Sequence, residues 1–162
     1  MILGIECSTP EGSLAVCDWE GNLIEERSFA SHRAHNAVIF EPLESILDEY
    51  RDQLEGIAVG IGPGSYGGVR VAISVANGLS LVFGVPVVDV SSIAALSDAP
   101  GNYLVAGDAR RATYFVAKVE NRDLAEEPEL LPEIEAIERL STETHLPAFS
   151  SDPKVVDSVE SV

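Results

Sequence analysis

From Ile2 to Phe29 the apolar and polar positions alternate with a period of two, broken at two turn-forming stretches. Ile2 to Cys7 reads as a strand, turns through Thr9-Pro10-Glu11-Gly12 and returns as Ser13 to Asp18. Gly21-Asn22 then turns the chain into a third strand, Leu23 to Phe29. The period next lengthens to that of a helix, with Ile39, Leu43, Ile46, Leu47 and Tyr50 on one side. Pro42 either starts this helix late or kinks it, because it lacks an N–H and crowds the preceding turn. Ile57 to Ile61 is a short apolar strand, followed by the turn Gly62-Pro63-Gly64-Ser65-Tyr66-Gly67-Gly68 and a long helix from about Val69 to Phe83. Gly84 suits its C-terminus, and Pro86 prevents its continuation. Val85 to Val90 reads as another buried strand, and Ser91-Ser92 as the cap of a short helix through Leu96.

The Val69–Phe83 helix carries the strongest functional signal of these elements. Projected at 100° per residue, its apolar and small residues cover an arc of roughly 200°, where a helix laid on one sheet needs little more than half of that. Arg70, Ser74 and Asn77 share the remaining wedge with Gly78 and Leu81. Ala72, Ala76 and Ser80 form a row of small residues that lets another helix approach closely. One side is therefore expected to meet the sheet and the other a second helix. The Ile39–Tyr50 helix covers part of the surplus, and what remains is either an interface or the seat of the second lobe.

That second lobe is expected to start at Asn102, dividing the chain into residues 1–101 and 102–162. Tyr103 to Gly107 and Thr113 to Val119 read as strands joined by Asp108-Ala109-Arg110-Arg111-Ala112, with Asp108 and Arg110 forming a local ion pair. Beyond Glu120 acidic residues and prolines accumulate with little periodicity, so a partial lobe with a loose end is expected. The fold class is α/β.

Charge narrows the functional classes. The 162 residues hold 27 acidic and 10 basic side chains, a formal net charge of -17, which repels phosphate backbones unless a basic patch offsets it. Arg110-Arg111 is too small a patch for unaided nucleic-acid binding. No apolar run, Val82 to Val90 included, approaches the length of a membrane span. Met1 leads straight into a strand with no basic segment before it, unlike a secretory signal. Cys7 and Cys17 fall on adjacent strands in an offset register that cannot bridge. A reduced, cytoplasmic setting is the expectation.

The candidate chemistries are each incomplete. Gly62, Gly64 and Gly67 fit G-x-G-x-x-G between a strand and a helix, and Asp89 lies roughly where a dinucleotide fold places its ribose-binding acid. However, a meander and a helix precede the turn, and Pro63 removes a donor from it. The bland reading, glycines permitting a tight entry into a closely packed helix, outweighs the dinucleotide one. Glu6-Cys7-Ser8-Thr9 ends a strand as phosphate-holding loops do, yet Pro10 removes an N–H and Glu11 adds an anion. His32 and His35 flank Arg33 with no third metal ligand nearby, and His145 is isolated. No G-x-S-x-G elbow or Cys–His pair appears. The chain thus has no complete catalytic constellation of its own, and a partner subunit is expected.

Four segments together resemble one family: Ile2-Leu3-Gly4-Ile5-Glu6-Cys7-Ser8-Thr9, Gly60-Ile61-Gly62-Pro63-Gly64-Ser65-Tyr66-Gly67-Gly68-Val69-Arg70, Pro86-Val87-Val88-Asp89-Val90-Ser91-Ser92 and Asp108-Ala109-Arg110-Arg111. It is the TsaB (YeaZ) family, the dimerisation subunit of the bacterial tRNA threonylcarbamoyladenosine complex, and the resemblance covers roughly Met1 to Val119. It implies an actin-like ATPase (ASKHA, ribonuclease H-like) fold of two related lobes with a mixed sheet, here with the second lobe incomplete. It also implies a non-catalytic scaffold that pairs with the catalytic paralogue TsaD through helices of the first lobe and is joined by the ATPase TsaE. Transferred to this chain, the pairing residues are Ile39, Leu43, Ile46, Leu47, Val69, Ala72, Ile73, Ala76, Ser80 and Phe83. Glu6, Ser8, Thr9, Gly62, Gly64, Ser65, Gly67, Gly68 and Arg70 are vestiges of nucleotide loops, and Asp108 and Arg110 mark the second lobe. ATP is used by the complex rather than bound by this chain, tRNA is met through the complex, a homodimer is an option, and neither a metal nor a membrane is involved. Glu6 stands where an aspartate is usual, Tyr66-Gly67 where Phe-Thr is common, and the chain stops before the final helices of a full-length member.

Two other classes remain as alternatives. One is an independent nucleotide-binding enzyme, an ATPase or a dinucleotide-dependent oxidoreductase working through the Gly62–Gly67 turn. The other is a peptidase, for which no nucleophile or metal set is present. Under the scaffold reading, a charge placed at Ala72 or Ala76 is expected to abolish pairing without unfolding the chain.

Overall fold

The computed structural model describes residues 1–30, 38–96, 99–143 and 145–150. They divide into two compact units, Met1–Ser92 and Ile93–Val162, so the division falls at Ser92/Ile93 and not at 101/102. The reason lies in packing: Ile93, Ala94 and Ala99 are buried with Tyr103, Val105 and Phe115, and Tyr103 Oη donates to the Ile93 carbonyl at 2.6 Å.

In the first unit the expected meander is present as β1 (Ile2–Glu6), β2 (Glu11–Cys17) and β3 (Leu23–Ala30). β4 (Gly56–Gly60) and β5 (Val87–Val90) extend it to a mixed sheet of order β3-β2-β1-β4-β5, antiparallel from β3 to β1 and parallel from β1 to β5. The register sets Val16, Leu3 and Ile57 side by side, and Leu14, Ile5 and Val59 beside them. All six are buried, and this face forms the core with the helices. On the opposite face the register aligns Ala15, Gly4 and Ala58, all only half-buried. Cys17 pairs with Ile2, at the far end of the hairpin from Cys7, and both cysteines are free.

Helix α1 (Phe40–Tyr50) places Leu43, Ile46 and Tyr50 in the core, with Ile39 buried at its N-cap. Pro42 lies in the first turn, where its missing N–H has no intrahelical partner to lose, so it starts the helix without kinking it. The Tyr50 hydroxyl is pushed up to about 12, first by its hydrogen bond to the Glu25 carboxylate on β3 and then by burial. Helix α2 (Tyr66–Phe83) joins β4 to β5, opening on Ser65 and closing on Gly84 in the left-handed conformation, φ 69°. It is long and apolar enough to cross a membrane by length and composition alone, contrary to the expectation from the apolar runs. Both its ends feed neighbouring strands of one sheet, as a crossover helix does.

Two expectations fail here. β5 is the sheet's edge, with Val88, Asp89 and Val90 exposed, not a buried strand. Ser91-Ser92 opens a turn and no helix. Ser92 is occupied by Gly62 instead, its Oγ accepting from the Gly62 N–H at 2.9 Å and its own N–H donating to the Gly62 carbonyl at 3.0 Å.

The second unit is built on β6 (Tyr103–Asp108) and β7 (Thr113–Glu120), as expected. The described residues after Glu120 are more ordered than their composition suggests. β8 (Asp123–Leu124) and β9 (Glu129–Pro132) share the outer edge of β7, and β10 (Ala148–Ser150) adds to β6 in parallel. Asn121 and Arg122, both at positive φ, form the two-residue turn between β7 and β8. Alternate residues of β6 and β7 feed two clusters: Tyr103, Val105, Phe115 and Ala117 on one face, and Leu104, Ala106, Tyr114 and Val116 on the other. Helix α3 (Glu133–Thr142) covers the second of these with Ala136 and Leu140.

A charge network staples α3. Arg139 reaches Glu143, Glu126 at 3.0 Å and Glu129 at 3.8 Å, and Lys118 reaches Glu143 at 3.2 Å and Glu120 at 2.9 Å. The Arg139 hydrogen bond holds the Glu143 carboxyl below its usual range. A carboxylate whose folded value is depressed stabilises above its unfolded value, and the effect is lost as pH falls through the folded one. Glu143→Gln is therefore expected to lower the melting temperature at pH 7, and thermal melts should show the difference shrink as pH falls below the ordinary glutamate range.

Candidate functional site

The glycine-rich turn and the first hairpin lie against each other, and this contact explains most of the family-like residues. A Cβ at Gly68 would fall on the Cys7 carbonyl oxygen, and one at Gly64 on the Ser8 carbonyl oxygen. The Ser65 N–H donates to that same Ser8 carbonyl at 2.6 Å, while Ser65 Oγ accepts from Gly68 N–H at 3.4 Å as the cap of α2. Gly62 takes φ 87°. The backbone surface that a pyrophosphate would approach is thus occupied by the chain's own carbonyls. Gly67 has nothing within 4 Å of an added Cβ and plays no part in the contact. The dinucleotide reading loses its loop in this arrangement, and Asp89 stands exposed on an edge strand. An antiparallel meander also leads the sheet, unlike the parallel order of a dinucleotide fold.

The first hairpin is similarly filled. Glu6 accepts from the N–H of Ser8, and its carboxylate lies where a Cβ at Gly60 would have to go. Thr9 Oγ1 donates to the Glu11 carbonyl, the local bonding expected of an ordinary hairpin. Ser8 is buried. Burial, and then the Glu6 charge, push the Cys7 thiol up to about 11, far from a reactive thiolate. His32 and His35 lie outside the described residues.

The residues assigned to pairing divide into two groups. Ile39, Leu43, Ile46, Ala72 and Ala76 are buried in the first unit's own core, so they cannot form an outward surface. The small-residue row faces the sheet and not a partner helix. Leu47, Val69, Ile73, Ser80 and Phe83 are half-buried, with Ser80 Oγ donating to the Val85 carbonyl at 2.6 Å. A charge at Ala72 or Ala76 would therefore strike the core, correcting the expectation that the chain would stay folded.

What α2 does expose was missed. Only Gly68, Ala72 and Ala76 are buried along its length, and Tyr66, Leu81 and Val82 are 76%, 87% and 75% exposed. Arg70 stacks over the Tyr66 ring with its guanidinium carbon 5.4 Å from the centroid. Ser74, Asn77 and Gly78 complete the outer flank. The signal was present in the surplus apolar arc, but Leu81 was placed in the polar wedge. In the second unit, Asp108 and Arg110 do not form the expected ion pair: Asp108 Oδ1 accepts from the Arg110 backbone N–H at 2.6 Å.

Comparison with known proteins places this geometry. The model of the family described as TsaD: tRNA N6-adenosine threonylcarbamoyltransferase matches residues 28–140. The tRNA threonylcarbamoyladenosine biosynthesis protein TsaB of Haemophilus influenzae is 29% identical over 127 residues, 73% of this chain and 53% of that protein. The structure of YeaZ from Pseudomonas aeruginosa superposes with a TM-score of 0.69 at 27% identity, over 81% of this chain and 67% of that one. The chain belongs to this family, in its TsaB (YeaZ) branch. A putative N-acetylmannosamine kinase from Listeria monocytogenes, 17% identical with a TM-score of 0.51 over 79% of this chain and 52% of that one, speaks for the fold alone, the actin-like ATPase (ASKHA) class. The tRNA N6-adenosine threonylcarbamoyltransferase of Legionella pneumophila (strain Corby) is 30% identical over 113 residues, 59% of this chain and 34% of that enzyme. The chain thus spans about half the length of its TsaB relative, and a third of this one.

The glycine contacts give a paired test of the turn. Gly68→Ala is expected to destabilise by about 3 kcal/mol or more, since backbone must move. Gly67→Ala, in an open helical position, is expected to stabilise by about 0.5–1 kcal/mol. Urea unfolding of both variants checks the contrast.

Proposed function

We propose that this chain is a non-catalytic docking subunit of a tRNA threonylcarbamoyladenosine-forming assembly, and that the outer flank of α2 is where it pairs with a TsaD-type catalytic paralogue. The observation that carries the reading is the exposure of Tyr66, Leu81 and Val82 on a helix whose fully buried positions are three small residues. Large apolar side chains exposed on a folded helix, with Leu81 and Val82 adjacent near its C-terminal end, favour an interaction surface. Membership of the TsaB branch supports the choice of partner. The occupied state of both nucleotide-like loops supports a scaffold over an independent ATPase or dinucleotide enzyme. In this reading ATP is consumed by the assembly, a TsaE-type ATPase joins it, tRNA is bound by the whole complex in the cytoplasm, and self-pairing through the same flank competes with the heterodimer.

The test is co-purification of the chain with its catalytic paralogue. Leu81→Asp with Val82→Asp places charge at the C-terminal end of the proposed contact, where its two most closely spaced apolar side chains stand, and is expected to weaken pairing by about 3 kcal/mol or more, roughly a hundred-fold. Melting of the isolated chain should be unchanged, because both side chains face solvent. Undiminished co-elution of the double variant would remove α2 from the interface. Self-association of the wild type that survives the same substitutions would likewise place the homodimer elsewhere.

A further inference from the structure

Helix α1 and the single turn of helix after it, Arg51–Gln53, carry five carboxylates and one cation, Arg51. Glu41, Glu44, Asp48 and Asp52 are exposed, and their carboxylates have no ion pair or hydrogen bond among the described residues. Their spacing keeps them within an arc of about 80° at 3.6 residues per turn. Like charges three and four residues apart on one helix side repel. The last turn of α1 holds no basic residue, and Asp48 stands there against the negative end of the helix dipole. Glu49 beside it is engaged by the Tyr50 hydroxyl, but the other four are not. A local rule broken with no compensating contact inside the chain points to a use outside it.

The fold sets this acidic side next to the flank of α2. Helix α1 packs on β2, and its Tyr50 hydroxyl meets Glu25 on β3, while α2 packs on β4 and β1. Both helices cover the sheet face that holds Leu3, Leu14 and Ile57. Their axes are then about two strand spacings apart, roughly 10 Å, the distance of packed helices. The two present one outer layer. Glu49 marks the side of α1 toward β3, so Phe40, Glu44 and Leu47 fall on the opposite side, toward α2. Phe40 is 55% exposed. From α2 come Leu81, Val82 and the helix's one charged residue, Arg70, already stacked over the Tyr66 ring. The layer is thus apolar at Phe40, Leu81 and Val82, with an acidic rim along α1.

We infer that the occupant of this layer is a heterologous partner whose facing surface carries lysines or arginines opposite Glu41, Glu44 and Asp48, and that the acidic rim selects it over a second copy of this chain. The inference rests on the docking reading above and adds to it the chemistry of the partner. A second copy brings the same rim, so self-pairing doubles the excess of carboxylates around one contact, between chains of net charge -17 each. A basic face turns the same rim into attraction and speeds the encounter. Discrimination of this kind comes from the repulsion against the wrong partner as much as from the fit to the right one. The exposed apolar side chains hold whatever docks, and the rim decides which partner that is.

The experiment measures binding of the full chain to its purified catalytic paralogue by titration calorimetry in about 50 and about 500 mM sodium chloride, between which the screening length falls severalfold. The wild type is compared with Glu41→Gln/Glu44→Gln/Asp48→Asn and with Leu81→Ala/Val82→Ala. The wild type is expected to bind more weakly in the higher salt. In the lower salt the triple variant should bind about ten-fold more weakly than the wild type, with a smaller response to salt. Melting of the isolated triple variant should be unchanged or raised, because the repulsion along α1 is gone. If the triple variant binds as the wild type does, or if wild-type binding ignores salt, the inference is overturned. Loss in the alanine pair alone then leaves the docking reading standing, whereas full binding by both variants, or none by the wild type, removes both. Full binding by the alanine pair with loss in the triple variant keeps the selection by charge and moves the contact off Leu81 and Val82. The chain alone, followed by sedimentation velocity, should associate no more in the lower salt than in the higher. Self-association that is tightest in the lower salt makes a second copy the favoured occupant and overturns the selection.

Discussion

The close approach of the Gly62–Gly68 turn to the Cys7–Ser8 backbone governs the first unit. With no side chain at Gly64 or Gly68, the turn settles directly on two carbonyl oxygens of the first hairpin, and one of them accepts the Ser65 N–H. This fixes where α2 begins and at what height it crosses the sheet. From that start, the alanines at 72 and 76 reach the sheet and are fully buried. The larger residues on either side, Val71, Ile73, Val75 and Leu79, are only partly buried against the same core. A bulkier residue at Gly68 would lift the helix and re-aim every position after it. The same contact covers the backbone surface on which a phosphate-binding glycine loop depends, so the start of α2 and the covering of that surface share one cause.

Much of this fold was legible in the sequence. The period-two alternation gave the meander, and Leu3, Ile5, Leu14 and Val16 fell on the core face as that pattern requires. Helix α1 was readable because its apolar residues form a single narrow stripe. Gly84 and Pro86 marked the end of α2 within a residue. The family could be recognised from four short segments, and the comparisons agree with it.

The failures have physical causes. An apolar arc of about 200° carries a weak preference for which side turns inward, so the small-residue row was given to a partner when close approach to the sheet was what it provided. Residues beyond Glu120 looked loose because their order comes from pairing with β7, earlier in the chain, and not from local periodicity. Asp108 and Arg110 carry opposite charges two residues apart, but the left-handed backbone brings the Arg110 N–H to the carboxylate. The exposure of β5 followed from its place at the sheet edge, which an apolar run alone does not disclose.

The fully buried positions of α2 are two alanines and a glycine, and Val71, Ile73, Val75, Leu79 and Phe83 pack only partly against the core. Each fully buried large aliphatic side chain is worth about 1.5–3 kcal/mol, and α2 keeps Leu81 and Val82 outside. Much of the apolar burial available to this element is therefore not realised within the chain. Anything that covers the flank in the folded state and ignores the unfolded one raises the unfolding free energy by mass action, about 2.7 kcal/mol when it is present at a hundred times its dissociation constant. Where such a partner is bound, the apparent stability depends on the partner's concentration as well as on the sequence.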